Sequence, residues 1–361
     1  MEHQDNLFKD FEAVTAEAWL EKITLDLKGK DPVELNHQVG ENIVLSPFHH
    51  ADTMAGTVAP VARDANGNEW LIGEAFRLEE DLQLTNKSIL HALENGTQAI
   101  TITIGRKLTE SDLAKLFAEI EPSYIYTHLI FNETIDPIEI LTEFEKVLVK
   151  KKGDKTTFFG SISQKKTGPV GLEKWMTSKL PNFKTCCIDA SFGDPVDQLT
   201  ILIKKGVDEL ANSEDLTIAN QIVFSVKIGT DFFLEIARLR ALRILWANVL
   251  KSYGVDPTIF PRIMVNFDLS SQTKDPNQNM IRATTMAMAA ALGGADLLTV
   301  MPADSSDEHS TTFYRRIARN IQHILKMESF IDRVQDVARG SYYIETLTTK
   351  IGEAVWANLD E

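Results

Sequence analysis

Cysteine is nearly absent: the 361 residues hold two, Cys186 and Cys187. They are neighbours in an apolar run, where a disulfide between adjacent residues is strained and no further thiolates complete a metal site. Both are expected to be packing residues. Positive charge is scarce too, with 37 Lys and Arg against 52 Asp and Glu and a formal net charge of −15. That balance argues against a sequence-independent grip on nucleic acid or on an anionic membrane, since both need clustered cations. No apolar run approaches the roughly 18 residues that span a bilayer. The opening MEHQDNLFKDFEAV has neither the apolar stretch of a secretory signal nor the Arg-rich character of a transit peptide, so a cytoplasmic location is expected. Gly-rich phosphate turns are missing as well: neither G-x-G-x-x-G nor G-x-x-x-x-G-K-[ST] occurs. A doubly wound nucleotide-binding sheet therefore lacks its usual signature.

What is present is alternation. Apolar, strand-like runs fall at 70–76, 99–104, 124–131, 156–159, 185–188, 221–226, 262–267 and 297–301, with helical stripes between them. Eight βα repeats match the size and order of a parallel (β/α)8 TIM barrel, and an α/β fold of that kind is expected over 61–330. Residues 1–60 read instead as a helical and extended arm. Thr15 can cap a short helix with Trp19, Leu20, Ile23 and Leu27 on one face, ended by Gly29 and Pro32. One amphipathic helix cannot bury itself, so the arm must lie on its own barrel or on a partner. Residues 331–361 read as a closing segment.

Several residue groups invite a chemical reading. His49-His50 with Asp52 could be two metal ligands, but a site needs a third ligand at fixed spacing, and no metal is expected. Lys227, Asp268 and Asp304 lie near strand C-termini, where a TIM-barrel lyase or aldolase would carry its groups. Each is more simply a loop or capping residue. The helix after the sixth strand runs from Asp231 with Phe232, Ile236, Leu239, Leu242, Trp246 and Val249 in one stripe. Arg238, Arg240 and Arg243 fall off that stripe and are expected on a solvated or partner-facing surface. In the next helix the stripe is expected at Ile281, Thr285, Met288 and Leu292.

Residues 229–250, Ser271-Gln272-Thr273, Gly293-Gly294, 316–320 (RIARN) and 340–345 (GSYYIE) together resemble the barrel domain of the methylmalonyl-CoA mutase family. Trp19 with Leu27-Lys28-Gly29-Lys30 resembles its N-terminal arm. The resemblance covers nearly the whole chain. It implies a coenzyme B12-dependent radical isomerase that interconverts methylmalonyl-CoA and succinyl-CoA, with the thioester running down the barrel and a separate domain presenting cobalamin.

The departures from that pattern are specific. Where catalytic chains of the family carry a Tyr-His pair after the fifth strand, this one has Ile188-Asp189-Ala190-Ser191-Phe192. Gln221 and Val223 replace an Arg and a Ser that hold substrate, Ser270 replaces a His, and Leu297-Leu298-Thr299-Val300 replaces Leu-His-Thr-Asn. No His lies in an Asp-x-His-x-x-Gly cobalamin motif. These changes match the small, non-catalytic subunit of the family's heterodimeric members. The resemblance then implies a larger catalytic partner that holds the adenosylcobalamin, no catalytic, cofactor-binding or metal residue in this chain, and no cobalamin domain. Gln272 matches a substrate-binding position and is expected as a remnant. Phe158, Phe159, Ile188, Val223 and Phe224 are expected to fill the barrel with apolar bulk. An active acyl-CoA mutase barrel working with a separate cobalamin-binding subunit is the alternative.

Overall fold

The computed structural model describes residues 13–40, 43–53, 63, 67–151, 154–164, 171–190, 193–213, 215–305 and 310–359. A helix α1 (Ala16–Asp26) and a hairpin β1 (His37–Val39) and β2 (Ile43–Leu45) precede the main body. Then come β3 (Leu71–Arg77), α2 (Leu82–Glu94), β4 (Ala99–Ile104), α3 (Glu110–Leu116), β5 (Tyr126–Phe131), α4 (Pro137–Lys150), β6 (Phe159–Gln164), α5 (Leu172–Lys179), β7 (Phe183–Lys184) and β8 (Cys186–Asp189). The second half carries α6 (Pro195–Asn212), β9 (Ile222–Ile228), α7 (Phe232–Ser252), β10 (Arg262–Phe267), α8 (Pro276–Leu292), β11 (Leu297–Thr299), α9 (Thr312–Met327) and α10 (Tyr342–Leu359).

The sheet is parallel, in the order β7-β6-β5-β4-β3-β11-β10-β9-β8. Its two ends are consecutive in the chain: β7 pairs with β6, β8 pairs with β9, and only Thr185 separates them. Residues 183–189 thus form one stave with two halves, and the sheet curls into the eight-staved (β/α)8 barrel expected from the repeats. The fourth stave is the one that moves: 156–159 was expected, whereas β6 runs Phe159–Gln164 and residues 155–157 form a 3-10 turn.

Helix starts follow local chemistry. Asp136, Asp194 and Asp275 each precede a Pro and accept a backbone N–H of the first turn, so the chain cannot continue as strand into α4, α6 or α8. Thr109 and Asp112 cap α3 reciprocally.

Side chains on the strands alternate. Ile100, Ile102, Ile104, Leu129, Phe131 and Ile162 pack outward against α2 to α5. Phe224, Val226, Ile263, Val265 and Leu298 pack outward against α6 to α10. Helix α7 departs from the one-faced pattern: every residue of 235–243 is buried, because α10 lies across its outer surface. In α8 the buried face is Ala283, Met286, Ala287, Ala290 and Ala291, and Ile281 is left exposed. The stripe expected at Ile281, Thr285, Met288 and Leu292 is not the buried face, because close helix packing selects the alanines.

The arm divides in two. Val39, Ile43 and Leu45 of the hairpin are buried in the same core as α6 and α10, and Lys350 Nζ donates to Val44 O at 2.6 Å. Helix α1 buries no residue.

Candidate functional site

A barrel of this kind can do chemistry only through what faces its lumen and its C-terminal mouth. Ala99, Tyr126, Val223, Met264 and Leu297, with Leu71 and Cys187, form one small cluster drawn from seven staves, which fixes them as the inner wall. Alternation then carries the same face up to Thr101 and Thr103, His128 and Ile130, Ser161 and Ser163, Ser225 and Lys227, Asn266, and Thr299.

The N-terminal end is closed by Arg262, whose guanidinium lies 4.4 Å from the centre of the Tyr126 ring on the opposite wall. Burial pushes the Tyr126 phenol up to about 12. One layer higher, His128 Nδ1 and Ser161 Oγ are 2.7 Å apart, and Ser161 Oγ points across the lumen to Met264 Sδ at 3.8 Å. Burial holds His128 down at about 4, against a smaller opposing contribution from its Ser161 hydrogen bond, so the imidazole is neutral at pH 7. Higher still the wall opens. Asn266 Nδ2 donates to Ser225 Oγ at 3.4 Å, both half-buried, and Ala75, Thr103, Asp189 and Lys227 are exposed.

This overturns the apolar filling. Phe158 belongs to the outer core, Ile188 and Phe224 point outward to the helices, and Phe224 packs edge-on against Trp246 of α7. Phe159 is the first residue of its strand and half exposed. Of the five, Val223 lines the lumen, and Phe159 stands on the same face at its N-terminal rim, paired with Tyr126. The missed signal is the alternation of threonine with isoleucine over 101–104 (TITI) and of serine with isoleucine over 161–163 (SIS), which reads as a wall with a greasy outside and a hydroxyl-rich inside.

The other singled-out positions separate cleanly. Asp189 sits at the mouth, whereas Ile188 and Ala190 are buried in the outer core. Ser191 and Phe192 lie outside the described residues. Gln221 stands in the turn before β9, Ser270 is exposed in the turn after β10, and Thr299 Oγ1 is buried in the wall without a hydrogen-bond partner. Gln272 is half-buried beyond β10. Its side chain is engaged by the protein: Asn279 Nδ2 donates to Oε1 at 2.8 Å, and Nε2 donates to Pro302 O at 3.4 Å.

Lys227 Nζ lies 3.8 Å from Asp268, but Asp268 accepts from Ser270 N and Asp304 accepts from Thr311 N, so both carboxylates act as caps. His50 Nδ1 and Asp52 Oδ2 are 3.3 Å apart within their own turn, and among the described residues no three ligating side chains gather for a metal. Cys186 and Cys187 are unpaired thiols packed on opposite faces of their strand. Burial pushes both thiols well up, Cys187 to about 12. The described histidines do not suit a cobalt ligand over the mouth: His37, His49 and His50 are on the arm, His91 and His323 on helices, and His128 is deep in the lumen. His3 and His309 lie outside the described residues.

The three arginines of α7 are buried, against the expectation of a solvated face. Arg238 pairs with Glu235 and Gln198, Arg240 with Asp336 and Glu345, and Arg243 with Asp296. The same Asp296 also takes Arg63 at 2.7 Å and the backbone N–H of Ile263. Among the described residues no helix is long and apolar enough to cross a membrane.

The sequence model of methylmalonyl-CoA mutase matches residues 202–361. The methylmalonyl-CoA mutase small subunit of Porphyromonas gingivalis is 31% identical, over 98% of this chain and 63% of its own length. The methylmalonyl-CoA mutase small subunit of Streptomyces virginiae is 32% identical over 57% of this chain and 34% of its own. The methylmalonyl-CoA mutase of Cereibacter sphaeroides is 38% identical over 40% of this chain and 21% of its own. The chain thus spans less than two thirds of the length of each of these curated relatives.

Proposed function

The chain belongs to the methylmalonyl-CoA mutase family, and from that membership we propose that it is a small subunit whose role is structural, companion to a larger chain that performs the isomerisation of methylmalonyl-CoA and succinyl-CoA. The observation that carries this reading is the inner wall at Val223. A fully buried isopropyl group faces the lumen where the resemblance puts a substrate-holding Ser. Leu298, where the resemblance puts a His, points into the outer core, and Ser270 and the run 188–192 carry no imidazole. Removing one preorganised polar group from such a site typically slows a reaction by orders of magnitude, and several are lacking. Adenosylcobalamin, which supplies the radical chemistry when bound, is assigned to the partner.

Helix α1 supports the partnership. It buries nothing of its own, and Leu20 and Leu25 of the helix, with Val33 just beyond it, stand exposed. Apolar side chains held out on such an arm are available for a partner to cover. The test is to tag this chain in its native host and identify what it retains. A larger cobalamin-binding mutase chain at equal stoichiometry is expected; a stable homodimer that turns over methylmalonyl-CoA refutes the assignment.

A second reading draws on the hydroxyl-rich lumen. Thr101, Ser161, Ser163, Ser225 and Asn266 leave a wall that is polar and, toward the mouth, open. That favours an acyl-CoA barrel served by a separate cobalamin-binding subunit. It requires turnover when such a subunit and adenosylcobalamin are added to this chain alone.

A further inference from the structure

The arm is held on the barrel at two places of different chemistry. The hairpin is fixed by burial of Val39, Ile43 and Leu45. Residues 46–53 and α1 are held by rings and a few polar contacts. Trp19 of α1 packs on Phe48 at 5.7 Å and on His50 at 6.1 Å, and Ala16 N donates to Asp52 Oδ2 at 3.1 Å. Helix α1 therefore follows wherever 46–53 goes.

That segment reaches the body through His49, which meets Tyr343 of α10 edge to face at 5.6 Å and 85°. His37 of β1 stacks on the same Tyr343 ring at 14°, with its Nε2 2.8 Å from Tyr343 Oη. Phe233 of α7 closes the cluster at 5.5 Å. His49 Nε2 is buried there without a hydrogen-bond partner. From these contacts we infer that the His37–Tyr343–His49 junction is a proton-sensitive latch, which holds residues 46–53 and α1 on the barrel while His49 is neutral and loosens them when it is protonated.

The charges around the junction set the direction. From α10 comes Lys350, from β1 His37, and from the cap of α7 Asp231, whose carboxylate is engaged by Leu234 N. His50 and Asp52, on the latch segment itself, pair with each other. A proton on His49 would place a cation on a nitrogen with no acceptor, beside Lys350 and His37. Burial lowers its affinity for a proton, the Ser46 backbone opposes that, and Lys350 and His37 add repulsion. Tyr343 could attract a cation through its ring, but His37 already stacks on it.

Because docking lowers the pKa, the docked arm is fully stabilised above the free-histidine value near 6.5 and loses that stabilisation as pH falls below it. The docking equilibrium weakens by up to about tenfold for each unit between the free and docked values. The hairpin stays, since its apolar burial does not titrate.

The test is hydrogen exchange of the whole chain at pH 8 and pH 5.5, corrected for intrinsic exchange, following peptides from 13–53 against barrel peptides. Protection of 46–53 and α1 is expected to fall several-fold at the lower pH while the hairpin and barrel peptides are unchanged. His49→Gln removes the response and His50→Gln keeps it. Lys350→Gln, which takes away a neighbouring cation without touching the latch ring, shrinks it. Equal protection of the arm at both pH values, or a response that survives His49→Gln, overturns the latch.

Discussion

Arg240, in the middle of α7, donates to Glu345 of α10 across 3.1 Å while its Nε holds Asp336 at 2.6 Å, with all three side chains nearly inaccessible to water. The helix that covers the barrel from outside is thereby fastened by one cation serving two carboxylates. Thr348 Oγ1 accepts a further N–H of the same guanidinium at 3.0 Å. Arg240→Met would leave two buried carboxylates facing each other. A loss of about 3–5 kcal/mol in urea unfolding is expected, with exchange protection of α10 lost before that of the strands. Arg240→Lys should recover only part of it, since an ammonium cannot serve both acids in the guanidinium's planar fork.

Gly206 on α6 gives a prediction whose sign is not obvious. Replacing a helical Gly by Ala ordinarily gains about 0.5–1 kcal/mol. Here the new methyl would lie 2.6 Å from Cζ3 of Trp246, which is itself fully buried against Phe224. Overpacking of such a site costs about 1–3 kcal/mol, so Gly206→Ala is expected to lower the melting temperature.

Acid should act through His128. Its folded value of about 4 lies below the free-histidine value of 6.5, so its contribution is intact above pH 6.5 and is lost as pH falls toward 4. That loss is worth about 3 kcal/mol. Denaturant titrations at pH 7 and pH 4.5 check it: His128→Gln, which keeps a polar group near Ser161 without a titrating ring, should lose correspondingly less stability than the wild type between the two.

The arm offers a test that spares the barrel. Leu20→Glu with Leu25→Glu alters two exposed residues of a helix that buries nothing. The melting temperature should hold, while affinity for the larger chain proposed as its partner falls at least about tenfold by calorimetry.

The staves of the barrel were legible because parallel strands covered by helices carry runs of β-branched and aromatic residues, as at 99–104 and 262–267. The fourth is displaced because Thr156 to Phe159 is bulky, while β6 itself, FGSISQ, carries serine at its inward positions 161 and 163. The polarity of the lumen is hidden in the sequence for the same reason: above the lowest layer, most of the large strand residues face the helices. Gln272 was legible as a position in the resemblance, but its bonds to Asn279 and Pro302 depend on chain segments seven and thirty residues away. The arginines of α7 were out of reach in another way. Arg240 is 96 and 105 residues from its two acids, and nothing in the local pattern tells that α10 returns to cover it.

The chain is proposed to be a scaffold for a larger catalytic subunit. Succinyl-CoA formation from methylmalonyl-CoA tests it most directly, measured with this chain alone, then with adenosylcobalamin and an isolated cobalamin-binding subunit, then with the larger chain. Turnover only in the last case is the expected result. Turnover by this barrel with the cobalamin-binding subunit alone would contradict it.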